Sequence, residues 1–178
     1  MKSEQFVQNA YQCILKNDFE GALQWFEAAV AEDPGSAEVR YRCSVTYARS
    51  GKIDKALEHA HKACELDPEK SEYALNLQHL QSMRIVQDAK KVLDSGDLAP
   101  ASELYQTVSL LKESIRLDPL YGEAYIWLAV AYSQLNEHAL AIASLKEAIA
   151  LQPQDDGLQD MLDQLKSRLS NYLHDSTT

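Results

Sequence analysis

Four short sequences, AEDP (31–34), ELDP (65–68), RLDP (116–119) and ALQP (150–153), mark a repeat in this chain of 178 residues. The first two prolines lie 34 residues apart, and so do the last two, whereas the middle interval is 51 residues, or one and a half periods. A fixed period of about 20–50 residues is typical of proteins built from stacked repeats. Such solenoids usually hold other chains on extended concave surfaces.

The composition indicates a folded helical chain with an acidic surface. Hydrophobic residues make up 46%, glycines number six and prolines five, and the commonest residues are good helix formers. The formal net charge of −10 argues against nucleic acid and against an anionic membrane surface, because phosphate binding needs clustered Lys and Arg. The same negative charge is compatible with a basic protein partner.

The N-terminal sequence MKSEQFVQNA has no apolar core of a secretory signal, and no run of about 18 apolar residues occurs. The three cysteines are odd in number and scattered. We therefore expect a cytoplasmic protein with free thiols and no membrane insertion.

Three stretches, residues 3–36, 37–70 and 122–155, repeat one plan of two helices. Asn17 and Gly51 fall at the turn between the helices, where left-handed backbone is needed. The residues predicted to face inward are Phe6, Ala10, Cys13, Phe19, Ala22, Phe26 and Ala29; Cys43, Ser44, Tyr47, Ile53, Ala56, Ala60 and Ala63; and Tyr125, Leu128, Ala129, Tyr132, Ala141, Leu145 and Ala148.

These alanines, aromatic residues and closing prolines resemble the tetratricopeptide repeat family over roughly residues 3–153. The Trp that is frequent in the first helix of that family is replaced by Phe6, Arg40 and Tyr125. The resemblance implies an all-α, right-handed α–α solenoid of about four helix pairs in a single domain, residues 1–178.

The third unit, residues 71–121, departs from the plan. Apolar residues recur every three or four positions over residues 71–94 without Gly or Pro, which predicts one helix of about 24 residues. Gly96 would end that helix and Asp97 would cap the next, with Pro100 in its first turn. We expect an elongated hairpin that projects about 15 Å beyond its neighbours. An extra short helix near residues 82–94 is the alternative.

Residues 155–173 keep their apolar side chains on one face and charges on the other. Terminal units of a solenoid need a polar outer face. This segment is therefore predicted to be a capping helix.

No catalytic or metal-binding pattern occurs in the sequence. His59 and His61 lie on different faces of a helix, and H-E-x-x-H, C-x-x-C, G-x-S-x-G and Gly-rich phosphate loops are absent. Each cysteine falls on a core position of a repeat, where it acts as a small hydrophobe. We expect no enzymatic activity and no metal or organic cofactor needed for folding.

In the family that the chain resembles, the first helices of successive units line a concave wall that holds peptides. When the groove positions of that family are aligned with the repeats of this chain, they fall on the predicted partner-binding residues Tyr11, Tyr41, Arg42, Arg49, His79, Ile126 and Trp127. Tyr, Trp and Arg are enriched in interface cores. We expect Tyr41, Arg42 and Trp127 to be the main anchors, with acidic partner residues opposite Arg42 and Arg49. The alternative is that such residues only pack between helices.

The resemblance implies a non-enzymatic scaffold or adaptor that binds a peptide or helix of a protein partner. One alternative is a secretion-type chaperone that holds an apolar client segment. Another is a self-assembling unit joined through solenoid ends or through the long hairpin. Clamping of a terminal carboxylate is disfavoured, because Val7, Tyr11 and Glu72 stand where carboxylate-binding members carry polar or basic side chains.

Overall fold

Helices account for nearly all of the chain that the computed structural model describes, residues 2–95 and 99–175. Nine helices and no strand occur in this part, and none of these helices is long and apolar enough to cross a bilayer. In chain order they are α1 (Lys2–Leu15), α2 (Phe19–Glu32), α3 (Ala37–Arg49), α4 (Ile53–Leu66), α5 (Ser71–Leu93), α6 (Ala101–Leu117), α7 (Gly122–Gln134), α8 (His138–Leu151) and α9 (Asp156–Asp175). The all-α solenoid class predicted from the repeat is confirmed.

Left-handed backbone conformations close three of the helix pairs. Asn17, Gly51 and Asn136 have φ angles of 59°, 72° and 60° and occupy equivalent places in their repeats. Gly and Asn tolerate this conformation best, so the turns predicted at Asn17 and Gly51 are confirmed. After the first turn, Asp18 Oδ1 accepts a hydrogen bond of 2.9 Å from the Gly21 N–H and caps α2.

The second helices of the pairs stop directly before the repeated prolines. The final cap residues of α2, α4, α6 and α8 have φ angles of −134°, −142°, −138° and −131°. A residue that precedes proline avoids helical backbone, because the proline ring would clash with it. The repeated four-residue sequences are therefore helix stops; the cap residues are Asp33, Asp67, Asp118 and Gln152.

Small side chains occupy the positions where paired helices touch. Residues at three equivalent places in the first, second and last repeats are all 0% exposed. They lie on α1–α4, α7 and α8, and within each pair the two helices contact each other. Because the distance between two helices depends on the side chains between them, small residues allow a close approach. These residues are Ala10, Ser44 and Ala129; Ala22, Ala56 and Ala141; and Ala29, Ala63 and Ala148.

The chain divides into two compact units, Met1–Gln81 and Ser82–Thr178. In the first unit, α5 begins against α3, where the rings of Tyr73 and Tyr41 lie 5.1 Å apart. In the second unit, the end of α5 and α6–α9 share one apolar core. Its most deeply buried large side chains are Val86, Leu104, Leu111 and Leu145.

The third helix pair is elongated, as predicted, since α5 has 23 residues and α6 has 17, against 13 or 14 in α1–α4. Helix α5 is continuous, so the alternative of a separate short helix near residues 82–94 is wrong. Pro100 stands at the N-cap, one residue before the first turn of α6 in which it was predicted. The predicted roles of Gly96 and Asp97 lie outside the described residues.

The prediction that this hairpin projects at its turn is wrong. Leu93, the last residue of α5, accepts a hydrogen bond of 3.1 Å from the side chain of Gln134, the last residue of α7. The two helices therefore end at the same level. The additional length of α5 lies at its beginning, residues 71–81, which belong to the first unit.

Helix α9 covers one end of the second unit. Leu158, Leu162 and Leu165 are buried in the shared core, and charged side chains occupy the other faces. The predicted capping helix is therefore present.

A hydroxyl pair joins α5 to α6 in the second unit. Ser82 Oγ and Ser114 Oγ lie 2.7 Å apart, and both residues are fully buried. We expect Ser114→Ala to lower the free energy of unfolding by about 1–2 kcal/mol, because the buried Ser82 hydroxyl loses its partner on α6. Ser82→Ala should cost less, because the Ser114 hydroxyl still donates to the backbone carbonyl of residue 82, at 3.2 Å. The double variant should cost less than the sum of the two, since no unpaired hydroxyl remains.

Urea unfolding of the four proteins in this double-mutant cycle measures the coupling. The exposed Ser109→Ala on α6 is the control and should leave stability unchanged. Strictly additive costs for the two buried serines would contradict the proposed pairing.

Candidate partner-binding groove

The first unit carries an open concave surface along α1 and α3, formed by two adjoining depressions of about 410 and 330 Å³. We call this surface the α1–α3 groove. Tyr11, Glu38 and Arg42 border both depressions. The remaining lining residues are Ser3, Glu4, Val7, Gln8, Asp33, Ser36 and Val39 in the first depression and Ile14, Phe26, Tyr41, Val45, Thr46, Arg49 and Glu72 in the second.

Arg42 lies at the centre of the groove and contacts both helices. Its guanidinium carbon lies 5.1 Å from the centroid of the Tyr11 ring, a cation–π distance, and its Nε and one terminal nitrogen donate to Glu38 Oε1. Tyr11 in turn packs edge-on against Phe26, with ring centroids 6.0 Å apart. Arg42 therefore already has an acidic partner within its own helix, which the sequence prediction did not include.

Tyr41 lines the groove beside α5 and packs against the buried Tyr73. Tyr73 OH donates a hydrogen bond of 2.9 Å to Glu38 Oε2, and its ring packs on that of Tyr41. Burial raises the pKa of Tyr41, and a hydrogen bond to Glu72 raises it further. The Tyr41 hydroxyl therefore stays protonated near neutral pH and presents an aromatic ring with a polar end.

The two ends of the groove differ in charge. Asp33 lies at the end formed by the beginnings of α1 and α3, whereas Glu38 borders both depressions and is paired with Arg42 at the centre. Arg49 lies in the second depression, which Glu72 also lines; it is exposed and forms no ion pair among the residues that the structure describes. The groove thus has a carboxylate at one end, an ion pair at its centre and an unpaired guanidinium towards the other end.

Four of the predicted partner-binding residues, Tyr11, Tyr41, Arg42 and Arg49, line this groove. His79 is half-buried on α5 and borders neither depression. Sequence reasoning missed Glu38, although it lies four residues before Arg42 and seven before Val45. That helical spacing is the signal that would have found it.

The other two predicted residues, Ile126 and Trp127, are half-buried against the core of the second unit. The Lys90 ammonium lies 5.1 Å from the centroid of the Trp127 ring and donates a hydrogen bond of 2.9 Å to Glu123. Tyr121 OH donates a second bond, of 2.6 Å, to the same carboxylate. Burial favours the protonated form of Glu123, but the bonds from Tyr121 and Lys90 outweigh it, so the pKa of Glu123 lies below its usual value.

A smaller depression of about 250 Å³ separates α7 from α9. It is lined by Val130 and Gln134 of α7, together with Met161 and Arg168 of the capping helix. Its size and its single basic side chain make it a less complete binding surface than the α1–α3 groove.

One cluster in the first unit has the donor set of a metal site. Glu27, Cys43 and His59 each place a ligand atom within 4.8 Å of the others. The cluster lies between α2, α3 and α4 and does not border the groove, and no such ligand set was predicted from the sequence.

Solved structures of similar fold include MamA 41-end from Desulfovibrio magneticus RS-1, at 16% identity over 99% of this chain and 90% of that chain, with a TM-score of 0.57. A second crystal structure of MamA protein has 20% identity over 97% of this chain and 90% of that chain, with a TM-score of 0.50. Likeness at this level of identity shows the fold. Among curated proteins, none matches the chain significantly.

Sequence models described as tetratricopeptide repeat match residues 14–80 and residues 122–155, together more than half of the chain. The matches include α3, α4, α7 and α8, whose small contact residues and turns repeat in register. This chain belongs to the tetratricopeptide repeat family.

Proposed function

We propose that the protein is a non-enzymatic scaffold that binds an apolar segment of a protein partner in the α1–α3 groove. The observation that carries this proposal is the grouping of Tyr11, Tyr41 and Arg42 around one open concave surface. Repeat families of this kind use such surfaces to hold other chains. Membership of the family supports a protein or peptide as the ligand and no catalytic role.

The lining of the groove suits an amphipathic segment. Aromatic and aliphatic side chains supply apolar contact, and a few large anchors usually provide most of the affinity. Tyr41 offers a half-buried ring with a hydroxyl oxygen that can accept a hydrogen bond while its proton is donated to Glu72. Arg42 is held over Tyr11 and needs no rearrangement to form the floor of the site.

The charges at its ends suggest a direction for the bound segment. A basic residue of the partner would face Asp33, and an acidic residue would face Arg49. Such pairs at the rim fix orientation and speed association more than they add affinity. This refines the sequence prediction, in which Arg42 and Arg49 both faced acidic residues.

Peptide selection tests the groove directly. Peptides selected from a random displayed library against the purified chain should be apolar with one basic and one acidic end. Tyr41→Ala should weaken their binding at least tenfold by calorimetry, because it removes a central anchor. Arg49→Glu, at an exposed position away from the core, should weaken the same peptides several-fold and more at low salt.

Tyr105→Ala is the matched control. Tyr105 is an exposed tyrosine on α6, in the hairpin that was an alternative docking surface. Binding should be unchanged in this variant. Selected peptides that lose affinity with Tyr105→Ala, and keep it with Tyr41→Ala and Arg49→Glu, would overturn the groove proposal.

Trp127 should behave differently from Tyr41. It packs against the core of the second unit and beneath Lys90, so Trp127→Ala should lower the free energy of unfolding by about 2–4 kcal/mol. Affinity for the selected peptides should be unchanged in the folded protein. Thermal melting and peptide titration, run side by side, measure both; a lost affinity with unchanged melting would restore Trp127 as a binding anchor.

A further inference from the structure

Three helices of the first unit bring together Glu27 of α2, Cys43 of α3 and His59 of α4. Cys43 Sγ lies 3.8 Å from His59 Nε2, and His59 Nε2 lies 3.2 Å from Glu27 Oε1. Cys43 is fully buried and His59 nearly so, whereas the Glu27 side chain is 43% exposed. The cluster therefore has a buried N and S donor pair with an oxygen donor on the solvent side.

Two of the three donor separations match those around a tetrahedral metal ion, and the third, from Cys43 Sγ to the Glu27 carboxylate, is at most 4.8 Å. Zinc binds sulfur at about 2.3 Å, imidazole nitrogen at about 2.0–2.1 Å and carboxylate oxygen at about 2.0–2.2 Å. Tetrahedral angles then separate sulfur from nitrogen by about 3.6 Å and nitrogen from oxygen by about 3.3 Å. The observed 3.8 and 3.2 Å differ from these values by about 0.2 Å or less.

We propose that Glu27, Cys43 and His59 form a three-ligand Zn²⁺ site, with the fourth position open to water on the side of Glu27. A mixed sulfur, nitrogen and oxygen set favours zinc over the hard ions Mg²⁺ and Ca²⁺. Binding releases the thiol proton of Cys43, and the proton of neutral His59 moves to Nδ1 so that Nε2 can coordinate.

Hydrogen bonds hold the carboxylate of this cluster beside the imidazole. Tyr47 OH donates a hydrogen bond of 2.5 Å to Glu27 Oε1, and His59 Nε2 lies within hydrogen-bond distance of the same oxygen.

The groups around Cys43 and His59 limit the affinity of the site for Zn²⁺. Burial and the charge of the Glu27 carboxylate raise the pKa of the Cys43 thiol, whereas the smaller effects of Arg40 and Lys55 lower it. The same two cations oppose a divalent ion. His59 Nδ1 is buried without a hydrogen-bond partner in the described part of the chain, although zinc-bound histidines usually have one. Binding should therefore be weaker than in a closed structural zinc site.

Co²⁺ is the optical probe for this site, because a cobalt–thiolate bond absorbs in the near ultraviolet. The starting protein is the Cys13→Ser, Cys64→Ser double variant, in which Cys43 is the only thiol. One equivalent of Co²⁺ should produce the thiolate band, and Zn²⁺ should displace it. Zn²⁺ should also raise the melting temperature of this variant.

Ligand variants separate the site from adventitious binding. Cys43→Ser should abolish the band, and His59→Gln should weaken Co²⁺ binding at least tenfold. His61→Gln, two residues further along the same helix and exposed, should leave it unchanged. Absence of a thiolate band in the folded Cys43-only protein would overturn the proposal. So would equal Co²⁺ affinities of His59→Gln and His61→Gln.

Discussion

Close packing of small residues at equivalent repeat positions is the constraint on which each helix pair depends. Ala29, Ala63 and Ala148 are each fully buried and accept the backbone hydrogen bond of the cap residue that follows. A small side chain where two helices cross lets them approach closely. Large side chains of the same helices must then point away from that contact. On α1 and α3, Tyr11, Arg42 and other large side chains line the groove.

Much of the fold could be predicted because its signals are local. Proline after Asp118 ends a helix and Asn17 closes a turn through the backbone conformations of single residues. The direction in which α5 is extended could not be predicted, since the residues by which it exceeds the other first helices fit equally well at either end. That choice follows from tertiary pairing: Ser82 with Ser114, and the end of α5 with Gln134.

Part of the groove could be predicted from the sequence for the same reason. Register alone placed Tyr41 and Arg49 on the first helices, and the structure puts them beside one concave surface. Register did not show that Glu38 pairs with Arg42 or that Trp127 packs on the core, because these depend on distances between side chains. The cluster of Cys43 with His59 joins two helices and has no motif within either one.

The most direct measurement of the packing constraint compares leucine at two alanines of α2. Ala29 is fully buried at a helix contact, and Ala31 is exposed two residues later. Leucine and alanine are both strong helix formers, so any large difference reports packing. Urea unfolding should show Ala29→Leu less stable by about 1–3 kcal/mol and Ala31→Leu within about 0.5 kcal/mol of the wild type. Equal stabilities of the two variants would contradict the account.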